Sequence, residues 1–340
     1  MVNEVVNNEN PLGTEPVGGL LRRYAIPSIV AMLVGALYNI VDQFFIGQKI
    51  GELGNAATNV AFPLSTACVA IALLLGIGGA AAFNLTMGEG NKEKAVYYVG
   101  NAIVMLFILG LMLSVITQIF LTPLLRFFGA PENVLDYARV YTRITSLGFP
   151  FLIVSNGGGH LIRADGSPRY AMLCNLLGAI INTILDPIFI FVLNMDMAGA
   201  ALATVIGQLF SFLMAVRYFR NFKTERLRRD HFVPVWSYIR RIVSLGTAPA
   251  FNQVAMMVVQ IIMNKSLTHY GALSVYGKSV PLAVAGIINK VAMVFFSLII
   301  GISQGMQPIA SFNYGAKKYD RVKGVYKIAI RSGLVVSITA

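Results

Sequence analysis

Long apolar stretches recur through this 340-residue chain, separated by short gaps that carry most of its charge and many of its glycines and prolines. They fall at about 24–46, 58–87, 97–122, 140–162, 170–193, 198–219, 242–268, 283–312 and 325–340. A hydrocarbon core of about 30 Å is crossed by roughly 20 mostly apolar residues in an α-helix, and most of these stretches reach that length. Lipid supplies no partner for a backbone N–H or C=O, so a stretch of this kind satisfies its own backbone as a helix. The pattern predicts an all-α polytopic membrane protein with about nine transmembrane helices. Composition agrees, since only 12% of residues are charged where a soluble domain averages roughly 25%.

The formal charge of +12 would suggest a nucleic-acid surface in a soluble protein. Here the basic residues sit in the gaps, where they signal topology and not nucleic acid. One set of alternate gaps holds 19 of them and the other set 7, which predicts a cytoplasmic N-terminus in a multi-pass plasma-membrane protein. Residues 1–23 have no apolar core, so this segment is expected as a cytoplasmic tail without a cleavable signal, the first span acting as the insertion signal. Cys68 and Cys174 lie inside apolar stretches and read as small hydrophobes. Pro27, Pro63, Pro150, Pro187, Pro249 and Pro308 are expected to kink helices rather than end them.

The chain also repeats itself. Leu75-Gly76-Ile77-Gly78 aligns with Ile300-Gly301-Ile302-Ser303, and Gly90-Asn91-Lys92 with Gly315-Ala316-Lys317, both at an offset of 225. Arg22-Arg23 before Pro27 matches Arg240-Arg241 before Pro249, at offsets of 218 and 222. Both halves begin on the same side and are separated by six helices, so the repeats are parallel, as in many secondary transporters. The expected organisation is a six-helix lobe at 24–219, a basic cytoplasmic linker at 220–241, and the first three helices of a second six-helix lobe at 242–340. Residue 340 aligns with residue 115, so a complete second repeat would need three more helices.

Two carboxylates, Asp42 and Asp186, lie well inside apolar stretches. A charge at membrane depth costs about 2.5–3.5 kcal/mol on insertion scales, which makes each a functional candidate. At 1.5 Å per residue they climb to about 27 Å and about 24 Å from the inner ends of their helices, so they are predicted at similar depth in the outer half. Asn39 lies three residues before Asp42 and Asn182 four before Asp186, so each acid is expected to share a helix face with an amide. Pro187 has no N–H and leaves the Thr183 carbonyl without its helical partner. Tyr141 and Thr204 enter the fourth and sixth helices from the outer side at comparable height. Such oxygen-rich clusters bind Na⁺ or hold a carboxyl that cycles protons, while a structural clamp between helices is the plainer alternative. His160, His231 and His269 lack metal-ligand spacing and read as interfacial, and no nucleophile elbow or Ser/His/Asp grouping points to an enzyme.

The runs Tyr38-Asn39-Ile40-Val41-Asp42-Gln43-Phe44-Phe45-Ile46-Gly47, Asn182-Thr183-Ile184-Leu185-Asp186-Pro187-Ile188 and Gly199-Ala200-Ala201-Leu202-Ala203-Thr204 resemble the multidrug and toxic compound extrusion (MATE) family, nearest its MepA-like branch. The resemblance implies two six-helix bundles around a central cavity and efflux of bulky, often cationic compounds in exchange for H⁺ or Na⁺, with no cofactor. It places the cation or proton site at Asp42, Tyr141, Asn182, Asp186 and Thr204, and the spacing above sets Asn39, Thr183 and Pro187 around them. Another branch of the family carries a carboxylate in its seventh helix, whereas residues 249–264 here carry none. The expected partners are amphipathic or cationic small molecules and membrane lipids, around a monomer. A lipid-linked precursor flippase is the alternative, although it would want cations in its cavity for pyrophosphate.

Overall fold

The computed structural model describes residues 10–275 and 279–339, and among these there are twelve α-helices and no strand. In chain order they are α1 (Pro11–Thr14), α2 (Val17–Ile50), α3 (Glu52–Gly88), α4 (Lys92–Ile119), α5 (Leu121–Phe127) and α6 (Glu132–Leu147). There follow α7 (Phe149–Ala164), α8 (Pro168–Pro187), α9 (Asp196–Arg220), α10 (Trp236–Ala272), α11 (Ser279–Gly315) and α12 (Tyr319–Thr339). Seven helical segments are long and apolar enough to cross a membrane.

The departures from nine are local and have physical causes. The stretch at 140–162 is broken between Leu147 and Phe149, where Pro150 occupies the first turn of α7. Proline lacks an N–H and suits a helix start, so Pro150 restarts a helix instead of kinking one. At Pro187 the α-helix likewise closes, into a π-helical turn over Ile188–Val192. Pro27, Pro63, Pro249 and Pro308 remain inside their helices. The last stretch, α12, spreads Arg321, Lys323, Lys327 and Arg331 along its length and is too polar to qualify as a span.

Helix ends lie close to the expected lobe boundaries. Residues 1–9 of the expected tail lie outside the described residues, but Val17–Arg23 already form the first two turns of α2. The linker is confined to residues 221–235, because Trp236–Arg241 open α10. It is pinned and not loose. Asn101 accepts from the Val235 N–H at 2.7 Å and donates to the His231 carbonyl at 3.2 Å. Asp165 accepts from the Tyr218 hydroxyl at 2.8 Å and from the Lys223 and Thr224 amides at 2.7 and 3.0 Å. Burial pushes the Asp165 carboxyl above the usual carboxylate range, against the pull of these donors. His160 and His231 are buried: His160 Nδ1 lies 3.0 Å from the Arg163 guanidinium, and His231 packs edge-on against Tyr97.

Helices α2–α9 pack among themselves, and α10–α12 join them along α2 and α3. The joining contacts lie at one end, the end that holds the N-terminus. Early in α10, Gly246 sits so close to α3 that a Cβ there would lie 1.8 Å from the Leu74 carbonyl oxygen. A Cβ on Gly78 would likewise meet the Ile242 carbonyl oxygen at 2.1 Å. Gly88 and Gly315 form a reciprocal pair, each facing the other helix's backbone at Phe312 and Leu85. Gly301 and Gly305 of α11 press on Ile29 and Ala25 of α2. Small residues let membrane helices approach backbone to backbone, which replaces the hydrophobic drive that lipid cannot give. Toward the opposite end Phe251, Met256, Val259 and Ile262 of α10 are exposed, so the two groups of helices diverge there.

Gly246→Ala should therefore lower the thermal unfolding midpoint in detergent, by the equivalent of about 1–3 kcal/mol of overpacking. Gly35→Ala, with nothing within 4 Å of the new carbon, serves as the control and should stay within about 0.5 kcal/mol of the parent. Equal midpoints for all three chains would refute the close contact.

Candidate functional site

Asp42 lies on α2 eight residues before its end at Ile50, on the side away from the glycine contacts. Asp186 lies on the last turn of α8, which packs along α2. Both are buried, at 7% and 0% exposure. The two carboxyl groups face each other within hydrogen-bonding reach. Around them the neighbouring helices contribute neutral polar groups. Asn182, one helical turn below Asp186, donates from Nδ2 to Asp186 Oδ1 at 3.2 Å and reaches Thr204 Oγ1 on α9 at 3.4 Å. Thr204 spends its own proton on the Ala200 carbonyl at 3.0 Å, so its oxygen is left as an acceptor toward the cluster. The Tyr141 hydroxyl, from α6, meets Thr204 and lies within electrostatic reach of both carboxyls.

The structure thus brings together Asp42, Tyr141, Asn182, Asp186 and Thr204, from four helices. It does not bring in Asn39. That side chain is exposed and turns back to donate to the Gly35 carbonyl at 2.7 Å. Thr183 is half-buried and has no side-chain bond to the cluster among the described residues. Pro187 acts on the cluster through the backbone, by closing α8 directly after Asp186. Tyr38 was not singled out as a site residue by sequence reasoning, yet it lies beside Asp42 and Asp186. Its four-residue spacing from Asp42 is the signal that could have found it.

The chemistry of the cluster is dominated by oxygen atoms without donors. Asp42 Oδ1, Asp186 Oδ2 and Asn182 Oδ1 are all buried and take no hydrogen bond from any described residue. Buried polar atoms are normally paired, so three orphan acceptors in one cluster mark a place that wants a positive charge. Two facing carboxylates repel, and a shared proton or a small cation relieves that repulsion. Beyond the cluster, Ile46, Ala57, Leu125, Ala138, Ile190 and Ala200 form a separate apolar core against which Tyr141 packs. That layer separates the carboxyls from the end of the bundle. No group of three or more His, Cys, Asp or Glu side chains suited to a metal ion occurs among the described residues.

Comparison with known proteins gives a consistent picture. The protein-family model described as MatE matches residues 27–188 and 249–340. The multidrug export protein MepA of Staphylococcus haemolyticus is 29% identical over 318 residues, spanning 93% of this chain and 68% of that protein. An FAD transporter of Shewanella oneidensis is 27% identical over 344 residues, spanning 97% of this chain and 72% of that one. Among solved structures, an outward-facing conformation of a multidrug resistance MATE family transporter of the MOP superfamily superposes with a TM-score of 0.87 at 23% identity, over 98% of this chain and 72% of that one.

An amide in place of one facing carboxyl keeps the shape and removes the repulsion. Asp186→Asn should hold or raise the unfolding midpoint at neutral pH, by up to about 1–2 kcal/mol. Asn182→Ala should lower it by about 1–3 kcal/mol, because it strips Asp186 of its donor. A comparable fall in both variants would mark Asp186 as a structural clamp between helices.

Proposed function

The chain belongs to the MatE family, and from that premise we propose that it is a secondary antiporter that exports bulky, often cationic compounds in exchange for H⁺ or Na⁺. The observation that carries this reading is the set of three buried, donor-free oxygens between Asp42, Asp186 and Asn182. Asp42 and Asp186 bind the proton or Na⁺, Asn182 and Thr204 orient them, and Tyr141 closes the cluster from α6. Multidrug export by the MepA relative supports the substrate class, and the lack of a catalytic grouping in the sequence fits a transporter rather than an enzyme.

Helix α2 links the ion to the substrate path. It carries Asp42 near one end and, near the other, Ala25 and Ile29, which pack on Gly305 and Gly301 of α11. Binding a cation draws the two carboxyls together and holds α2 against α8; losing it restores their repulsion and changes how α2 lies. Exchange follows when substrate and cation favour different positions of α2, since a ligand shifts an equilibrium only by its differential affinity. With a cytoplasmic N-terminus, the end sealed by glycines faces inward and the diverging end faces outward. The flippase alternative is disfavoured because the cluster presents acids where pyrophosphate would need cations.

The test is efflux of a fluorescent cationic dye from membrane vesicles under imposed H⁺ or Na⁺ gradients. The 340-residue chain would be assayed beside a form extended to the length of the MepA relative. Dye should move against its gradient, the effective gradient naming the ion, and Asp42→Asn should cut the rate by at least about tenfold through loss of coupling. Undiminished efflux in properly inserted Asp42→Asn protein would remove Asp42 from the coupling site.

A further inference from the structure

At the end that holds the N-terminus lies a second polar site, away from the carboxyl cluster. A cavity of about 380 Å³ opens between the start of α2, the end of α3, the first residue of α4, the α7–α8 turn and the linker after α9. Its walls carry Arg23, Lys92 and Lys223 from three different elements. Lys92 and Lys223 have no ion-pair partner among the described residues, and Arg23 has only a half-exposed contact to Glu15 at 3.6 Å. The carboxylate in the wall, Asp165, is already engaged by Tyr218, Thr224 and two linker amides. Asn84 also borders the cavity, but at 1% exposure its amide nitrogen is sealed away from it.

We infer that this cavity binds a phosphate group. Three cations from separate elements call for one anion with several acceptor oxygens, and a phosphate takes charge-assisted hydrogen bonds from such donors. Leu12, Leu20, Phe83 and Met87 give the cavity an apolar wall, so the phosphate is carried either by an acidic phospholipid headgroup or by a small soluble anion.

The position gives the site leverage on the closed end. Asn10 to Leu12 form part of its wall, and that same segment is gripped by the last two helices. Asn313 Nδ2 and Arg321 Nη2 donate to the Leu12 carbonyl at 2.8 and 3.1 Å, Lys318 Nζ to the Gly13 carbonyl at 3.1 Å, and Arg321 Nη2 to the Glu15 carbonyl at 2.6 Å. A phosphate bound here favours the arrangement in which the segment is gripped and the end is sealed, and by linkage sealing favours the phosphate.

Two arms test the inference on the purified chain. In detergent without added lipid, inorganic phosphate is titrated by calorimetry at constant ionic strength. In nanodiscs of phosphatidylcholine with or without phosphatidylglycerol, native mass spectrometry counts the lipids that stay bound. Binding in the first arm assigns a soluble anion, and retention of phosphatidylglycerol in the second assigns a headgroup. In either arm Lys92→Gln with Lys223→Gln should weaken binding by about tenfold or more, and Lys92→Arg with Lys223→Arg should restore most of it. The unfolding midpoint without ligand reports whether the double variant folds, and the single variants at these exposed positions replace it otherwise. Absence of binding in both arms overturns the inference, and so does binding that the glutamine variants leave unchanged.

Discussion

In lipid, apolar side chains gain nothing by turning inward, so something other than burial must hold one group of helices to another. In this chain the join rests on backbone meeting backbone at glycines. Gly78 and Gly246 set α3 against α10, Gly88 and Gly315 set α3 against α11, and Gly301 and Gly305 set α11 against α2. All of these lie toward the end that carries the N-terminus. Because the close approach is confined to that end, the helices splay toward the other, and everything else in the architecture follows from that wedge.

The buried acids sit on the splayed side of the same helices. Helix α2 runs through both regions, packing on α11 near Ala25 and Ile29 and presenting Asp42 to Asp186 further along. A helix is stiff over this distance, so a change at the carboxyls is felt at the glycine contacts. On the sealed end the segment before α2 is tied down twice more, by Asn313 and Arg321 from the last helices and by the wall of the basic cavity. The proposed ion site and the proposed phosphate site therefore address opposite ends of one element.

Much of this was legible in the residues. The apolar stretches gave the helical class, and the offset of 225 aligned Gly76 of α3 with Gly301 of α11, and Gly90, just past the end of α3, with Gly315 at the end of α11. The equal climb to Asp42 and Asp186 put the two acids at one depth, and the structure sets them face to face. Other details were not legible. Asn39 stands one turn from Asp42, but its amide is exposed and turns back to the Gly35 carbonyl. Pro150 looked like the other interior prolines, and only its neighbours decided that the helix would restart there.

Sequence by itself determined which residues are helical, which of them can lie in lipid, and where charge is too costly to be accidental. These are properties of single segments and of transfer from water, and each is readable from composition and period. Tertiary structure alone decided which oxygens lack donors, how near Gly246 comes to Leu74, and that Arg23, Lys92 and Lys223 surround one cavity with Asn84 in its wall. Those facts depend on distances between segments far apart in the chain, and no local pattern encodes them.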